Sequence, residues 1–350
     1  MQRRITFLDA VRGVAIILMV VNHTSRDWMD GVMGWGRYYL IYGSLLLPAA
    51  LFLFLVGFCL PIALRSGRAP APAVDYLRRG LMIIGAGYLL NVVVLTEQPV
   101  WSGGVLHTIG LAIIVLGPML PLLHSPIARG ALLAASLLLY VTFMLALPWL
   151  TRWSAESPRL SRAFFNDFPP WPWLGVAAIG LVLGWWWLDA RARGPEDEAR
   201  YFRTVAVIGT ACLLGWLVWE WLVPTTPRFG FPRDYTLNRH WTPRGATLLL
   251  IAGGLAWILA AMYWVTERRG HRLHALVVLG QTAMILYVVH QVIELLLVRK
   301  ALGWRFNDWT LYTLALAGFL VVLLYLGLAW QIARSARFGR GSPATGLPRG

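Results

Sequence analysis

Ionisable side chains inside apolar runs are the residues of this chain that could do chemistry. Asp9, Arg12 and His23 lie in the first apolar run, and His290 and Glu294 lie in a late one. A charged or titratable group costs free energy in lipid, so each such residue is by default a hypothesis for a functional site. An imidazole can exchange a proton near neutral pH, and a guanidinium can bind a phosphate or a carbonyl oxygen.

The spacing of the first three residues predicts one functional face. Arg12 and His23 are eleven positions apart, which on a helix is about 1100°, or about 20° beyond three turns. Their side chains should share a face, roughly 16 Å apart along the axis, and Asp9 should pair with Arg12 as an i,i+3 neighbour. This arrangement suits a reaction between a cytoplasmic donor and an outer acceptor. A structural ion pair with an interfacial histidine explains the spacing equally well.

Two further histidine positions are candidates. His290 and Glu294 are i,i+4 neighbours, so the carboxylate could orient the ring, or Glu294 could instead pair with a basic residue at 299 or 300. His107 follows the flexible segment SGGVL and could line the mouth of a pocket, with simple packing as the alternative. The two cysteines lie in apolar runs without metal-type spacing, so no metal site is predicted.

The elements that must position these residues are membrane helices. The chain is 58% hydrophobic and only 13% charged over 350 residues, whereas soluble domains carry about 25% charged residues. Runs of roughly 20 apolar residues recur along it. We predict an all-α integral membrane protein with about ten transmembrane helices, at about 5–23, 38–64, 80–96, 104–123, 130–150, 170–188, 203–223, 245–266, 273–298 and 310–333.

The basic residues indicate orientation and partner. Lys and Arg are more frequent in the segments that face the cytoplasm if the N-terminus is inside, which predicts that both termini are cytoplasmic and that loop 151–169 is external. The net charge is +15, and the basic residues responsible lie between apolar runs rather than in an aromatic-rich tract. This distribution predicts anionic lipid as a partner and no binding of nucleic acid. Residues 1–333 are predicted to form one membrane domain, followed by a disordered basic tail at 334–350.

The segment RITFLDAVRGVAIILMVVNH resembles the start of membrane-bound acyltransferases, namely the acyltransferase-3 family and the bacterial relatives of heparan-α-glucosaminide N-acetyltransferase. The shared features are LDxxRG and an Arg-x10-His spacing, here Arg12 and His23. Later segments resemble the same group in consistent order and extend the likeness to about residue 291: LFLFLVGFCLPIALR, YLRRGLMIIGAGYLLN, GVLHTIGLA, FPPWPWLGVAAIGLVLG and LGQTAMILYVVHQ.

The resemblance implies transfer of an acyl group, expected to be acetyl, from cytoplasmic acyl-CoA to a hydroxyl or amine of an envelope or exported glycan. His23 would be general base or transient acyl carrier, with His290 as a second catalytic candidate. Arg12, oriented by Asp9, would bind the donor's phosphate or carbonyl oxygen. Arg78 and Arg79, with His107, would bind CoA, although two inner-surface arginines also fit ordinary topological charge.

The chain departs from both branches of this resemblance. The RxxR pattern of the acyltransferase-3 family is reduced to adjacent Arg78 and Arg79, and segment 24–37 contains no histidine where the lysosomal enzyme has its proposed catalytic one. Because of these departures, the resemblance indicates the type of reaction more firmly than the identity of the acceptor. The expected location is the bacterial inner membrane, and the oligomeric state stays open. A secondary transporter or flippase, or an inactive scaffold, remains the alternative function.

Overall fold

Helices make up nearly all of the secondary structure in the described residues. The computed structural model describes residues 5–30, 46–65, 72–165, 168–222 and 246–339. Its helices are α1 (Thr6–Trp28), α2 (Leu46–Arg65), α3 (Ala73–Val93), α4 (Val105–Leu116), α5 (Pro126–Glu156), α6 (Pro158–Phe164), α7 (Pro170–Arg193), α8 (Pro195–Leu222), α9 (Ala246–Tyr263), α10 (His274–Gln281), α11 (Ala283–Gln291) and α12 (Trp309–Gly339). The α class predicted from the sequence is confirmed.

Fewer helices than predicted meet the requirements for crossing a membrane. In the described part of the chain, six helices are long and apolar enough by length and composition, or seven if the bent pair α10–α11 counts as one span. The prediction of about ten transmembrane helices is therefore not confirmed. The predicted second span starts at residue 38, which lies outside the described residues, and its helix is apolar only over Leu47–Ile62.

Two other differences between prediction and structure concern the residue at which a helix ends. The predicted span 104–123 ends as an α-helix at Leu116, after which a short 3-10 turn covers Leu120–His124, because Pro118 and Pro121 cannot continue the hydrogen-bond ladder. At the other end of the chain, α12 continues to Gly339, beyond residue 333, where the sequence predicts the last span to end. Residues 340–350 lie outside the described part of the chain.

Helix α1 crosses α10 at very close range. An added Cβ at Gly280 would collide with the carbonyl oxygen of Asp9, and one at Gly13 would collide with that of Leu276. Only glycine lets two helix backbones approach this closely, as is common between membrane helices. Near the start of α1, Phe7 packs edge-on against Trp187, Phe202 and Tyr263. These contacts fix α1 between α10 on one side and the α7–α9 group on the other.

The α10–α11 pair is a broken helix. Its two parts are bent by 80° around Thr282, whereas the sequence predicted one continuous span over 273–298. A π-helix over Val292–Ala301 follows α11, and π-helical segments are frequent at functional sites. A parallel β-bridge between Met29 and Phe306 ties the end of α1 to the segment before α12. Both features bring the end of α11 against the end of α1.

Candidate functional site

The ends of α1 and α11 bring His23 and His290 into contact. The Nδ1 atom of His23 lies 2.9 Å from the Nε2 atom of His290, and the rings stack with centroids 5.1 Å apart. The amide nitrogen of Gln291 lies 2.8 Å from the same Nδ1 atom. Because 267 positions separate the two histidines along the chain, only the fold pairs them.

The backbone fixes which nitrogen of His290 carries a proton. Nδ1 of His290 lies 3.0 Å from the carbonyl oxygen of Leu286, which can only accept, so this nitrogen is the donor. In a neutral ring Nε2 is then a lone pair facing His23. If His23 donates its Nδ1 proton to that lone pair, its own Nε2 is unprotonated. An unprotonated ring nitrogen is what a general base requires.

His23 lines a cavity of about 140 Å³ between α1, α2, α11 and the segment before α4. Aromatic rings from Phe52, Phe168 and Tyr287 contribute to its wall. Its polar lining residues are Asn22, His23, Arg26, Asn91, Gln98 and Gln291. Amides and aromatic faces around an imidazole suit a polar acceptor with hydroxyl or amine groups.

Two carboxyl groups, those of Asp27 and Glu294, lie near the two histidines. Asp27 accepts hydrogen bonds from Arg26 and from Arg299. Glu294 is fully buried, and no donor among the described residues reaches its carboxylate, which lies beside the Asp27 carboxyl group. The predicted alternative, in which Glu294 pairs with a basic neighbour, is wrong: Arg299 bonds Asp27, and Lys300 lies near Thr96 and Glu97.

At the other end of α1, the predicted pair of Asp9 and Arg12 is confirmed. Arg12 donates to Asp9 Oδ1 at 2.7 Å and to the sulfur of Cys59 at 3.0 Å. Gln281 donates to the second oxygen of Asp9 at 3.1 Å. Because the buried carboxylate is held from two helices, it can fix the direction of the guanidinium plane.

Two more cavities have Arg12 in their walls. One, of about 330 Å³, is lined by Asp9, Arg12 and Tyr287 among others, and the other, of about 310 Å³, by Arg12, Cys59 and Arg79. Phe52 lines all three cavities. The three cavities therefore lie around Phe52, with Arg79 at the wall of one and His23 at the wall of another.

The other two predicted site residues, Arg78 and His107, do not line any of the three cavities. Arg78 is exposed on α3. His107 caps the start of α4, where its Nδ1 accepts from the backbone N–H of Gly104 at 3.0 Å, and its ring packs against Tyr88. The structure thus brings His23 into contact with His290 and places Arg12 and Arg79 in the wall of one cavity. Arg78 and His107 belong to neither group.

Sequence reasoning missed the amides. Gln291 contacts His23, and Asn91 donates to the carbonyl oxygens of Val100 and Ser102, which holds the segment beside the cavity. A search restricted to ionisable residues passes over Asn and Gln. Their occurrence within apolar runs was the available signal, because an amide in such a run also requires a polar partner.

The comparison with protein families decides the identity of the chain. The family model for the catalytic region of heparan-alpha-glucosaminide N-acetyltransferase matches residues 4–220 of the 350. The chain belongs to this N-acetyltransferase family. No curated protein matches the chain in a direct search. The expected resemblance to the acyltransferase-3 family has no counterpart in the match.

Membership in the heparan-alpha-glucosaminide N-acetyltransferase family makes the chain an acetyltransferase of membrane type. The matched segment includes Asp9, Arg12 and His23 on α1 and both arginines of α3. His290 and Gln291 lie beyond its end. The histidine pair is therefore formed by one residue inside the matched segment and one outside it.

Proposed function

We propose that this protein transfers an acetyl group from cytoplasmic acetyl-CoA to a hydroxyl or amine of an envelope or exported glycan. The observation that supports it most is the His23–His290 pair, with His23 at the wall of one cavity and Arg12 and Arg79 at the walls of two others that share Phe52 with it. Acceptor and donor would then approach His23 from opposite ends of α1. The expected location is the plasma membrane of a bacterium.

In this proposal His23 is the general base. Its Nε2 takes the proton of the acceptor hydroxyl or neutral amine as that group attacks the thioester carbonyl. The carbon–sulfur bond breaks, the acetyl group stays on the acceptor, and the departing thiolate of CoA receives the proton from Nε2. His290 accepts the Nδ1 proton of His23 in a hydrogen bond and so fixes the ring. Transient acetylation of the same Nε2 is the alternative route.

The donor would occupy the other two cavities. CoA has charged phosphates at one end and a narrow flexible arm that ends in the thioester. The exposed Arg79 suits a phosphate at the cavity entrance. Arg12 uses two of its five N–H groups on Asp9 and Cys59, which leaves donors for a carbonyl oxygen of the arm.

Transfer of labelled acetyl groups tests this proposal. Purified protein in detergent or vesicles, supplied with radiolabelled acetyl-CoA and amino-sugar or glycan acceptors, should label the acceptor and release CoA thiol. His23→Gln keeps hydrogen bonding but removes the base, so we expect a rate loss of roughly 10²–10⁴-fold. His290→Gln should lose less, because an amide can still contact His23.

His124→Gln is the matched control, since His124 lies in the 3-10 turn and contacts Trp185 rather than the site. It should transfer at the wild-type rate. A His23→Gln variant that transfers within tenfold of wild type, at equal folded protein, would reject the base. A secondary transporter or scaffold would transfer no acetyl group from the start.

A further inference from the structure

A second kind of chemistry is available at the end of α1. The potential ligand atoms of His23, His290 and Glu294 all lie within 4.8 Å of one another. His290 and Glu294 are fully buried; no donor among the described residues reaches the Glu294 carboxylate, whose neighbour is the Asp27 carboxyl group. A buried carboxyl group beside another carboxyl group requires a shared proton or a nearby cation, and a metal ion is one such cation.

The hydrogen bonds around the histidines point to a shared cation. The Leu286 carbonyl oxygen holds the proton on Nδ1 of His290, which leaves a lone pair on Nε2. In the other tautomer of His23, Nδ1 is unprotonated and its single lone pair accepts from the Gln291 amide at 2.8 Å, so a metal ion on Nδ1 would displace that amide. In that tautomer Nδ1 of His23 and Nε2 of His290, 2.9 Å apart, are both acceptors, and a proton or a metal ion between them would remove their repulsion.

We infer that His23, His290 and Glu294 form a binding site for one divalent transition-metal ion, with zinc as the best match. Two imidazole nitrogens and one carboxylate are a common protein ligand set for zinc with an open fourth position. Zinc bonds of about 2.0–2.2 Å place neighbouring ligand atoms roughly 3 Å apart. A backbone carbonyl on the distal nitrogen, as on His290, is the usual outer partner of a histidine that binds metal.

The charged residues near this site determine its affinity for a metal ion. Arg26 and Arg299 oppose a cation, but both donate to Asp27, whose carboxylate offsets part of their charge. Glu294 supplies a negative charge to the metal itself. His23 lines the adjacent cavity, so water or a small ligand in that cavity could reach a metal ion held by this histidine. We therefore expect binding that is specific but reversible.

Metal binding would also switch off the base. A metal on Nδ1 of His23 moves the ring proton to Nε2, the nitrogen that takes the acceptor proton in the proposed function. Zinc and acetyl transfer should then exclude each other. This consequence rests on the proposed function, whereas the metal site itself does not.

Direct metal binding tests the site without any activity measurement. Chelator-treated full-length protein in detergent, titrated with zinc chloride in a calorimeter, should bind one zinc ion per chain. Glu294→Gln and His290→Gln should each lower the affinity at least about tenfold, while His124→Gln should bind as the wild type does. Zinc X-ray absorption on the wild type should show two imidazoles and an oxygen ligand, which keeps the test valid if a variant fails to fold.

Absence of zinc binding by folded wild-type protein, or unchanged affinity in both variants, would overturn the site. In the transfer assay, added zinc should inhibit and chelator should restore activity. Stimulation by zinc would overturn the inhibitory role. If no transfer is found at all, the binding titration still decides for or against the metal site, so the two proposals fail separately.

Discussion

Arg12 links chemistry and packing at the scale of the single residue. Its guanidinium donates to Asp9 on its own helix and to Cys59 on α2, and it lines both cavities proposed for the donor. A planar group with five donors can serve the protein and a ligand at once. A lysine ammonium has a single charge centre and would be held by Asp9.

We predict that Arg12→Lys weakens acetyl-CoA binding about tenfold, which corresponds to about 1.4 kcal/mol or one charge-assisted hydrogen bond. The variant should insert and fold normally because the lysine still neutralises Asp9. The measurement is the apparent affinity for acetyl-CoA, with Arg200→Lys as control, since Arg200 lies exposed and pairs with Asp197. Wild-type affinity in Arg12→Lys would reduce Arg12 to a structural charge.

At the scale of the element, the crossing of α1 and α10 controls the distance between the two histidines. The helices meet at Gly13 and Gly280 with no room for a side chain. His23 lies on one of them, and His290 follows the other across the bend at Thr282. Any widening of the crossing should therefore separate the rings.

We predict that Gly280→Ala lowers thermal stability by about 1–3 kcal/mol, the usual effect of forcing atoms into a filled space. Acetyl transfer per folded molecule should fall as well, because α10 carries α11 away from α1. Thermal unfolding in detergent and the transfer assay measure the two effects. Gly85→Ala is the matched control, since an added Cβ there meets no atom within 4 Å. Equal behaviour of the two variants would contradict the role of this crossing.

The sequence predicts where a helix lies better than it predicts which other helices pack against it. The first span, expected at 5–23, corresponds to α1 over Thr6–Trp28, and the Asp9–Arg12 contact follows from helix geometry alone. Both rest on local periodicity. The contact between His23 and His290 depends on which helices pack together, and no local pattern encodes that. The bend at Thr282 was missed for a related reason: residues 273–298 have the composition of one continuous span.

On the scale of the whole molecule, the orientation in the membrane decides which end of α1 meets acetyl-CoA. The excess of basic residues predicts cytoplasmic termini, and Arg12 and Arg79 would then lie near the cytoplasmic side. His23 and its cavity would lie toward the outside. The opposite orientation would expose the proposed donor path to a compartment without acetyl-CoA.

We predict that a reporter active only outside the cytoplasm stays silent when fused after Gly350. The C-terminal end of α5 should be external, so Ala155→Cys, an exposed position in the last turn of that helix, should react with a membrane-impermeant maleimide on intact cells. Wild-type protein is the blank, because Cys59 and Cys212 lie within helices. An active reporter together with a protected Cys at position 155 would reverse the orientation and exchange the donor and acceptor sides.

The pairing of α1 with α10 and α11 also has a consequence for how the protein is made. Ribosomes add about 5–20 residues per second, so His290 is synthesised roughly 13–50 s after His23, given the 267 positions between them. During that interval α1 must stay in or near the membrane without the helices that cover its polar face. The Asp9–Arg12 pair forms within α1 itself, so its two charges can neutralise each other before any partner exists. The hydrogen bonds of the His23 ring among the described residues go to His290 and Gln291, so this half of the site forms only after α11 has been synthesised.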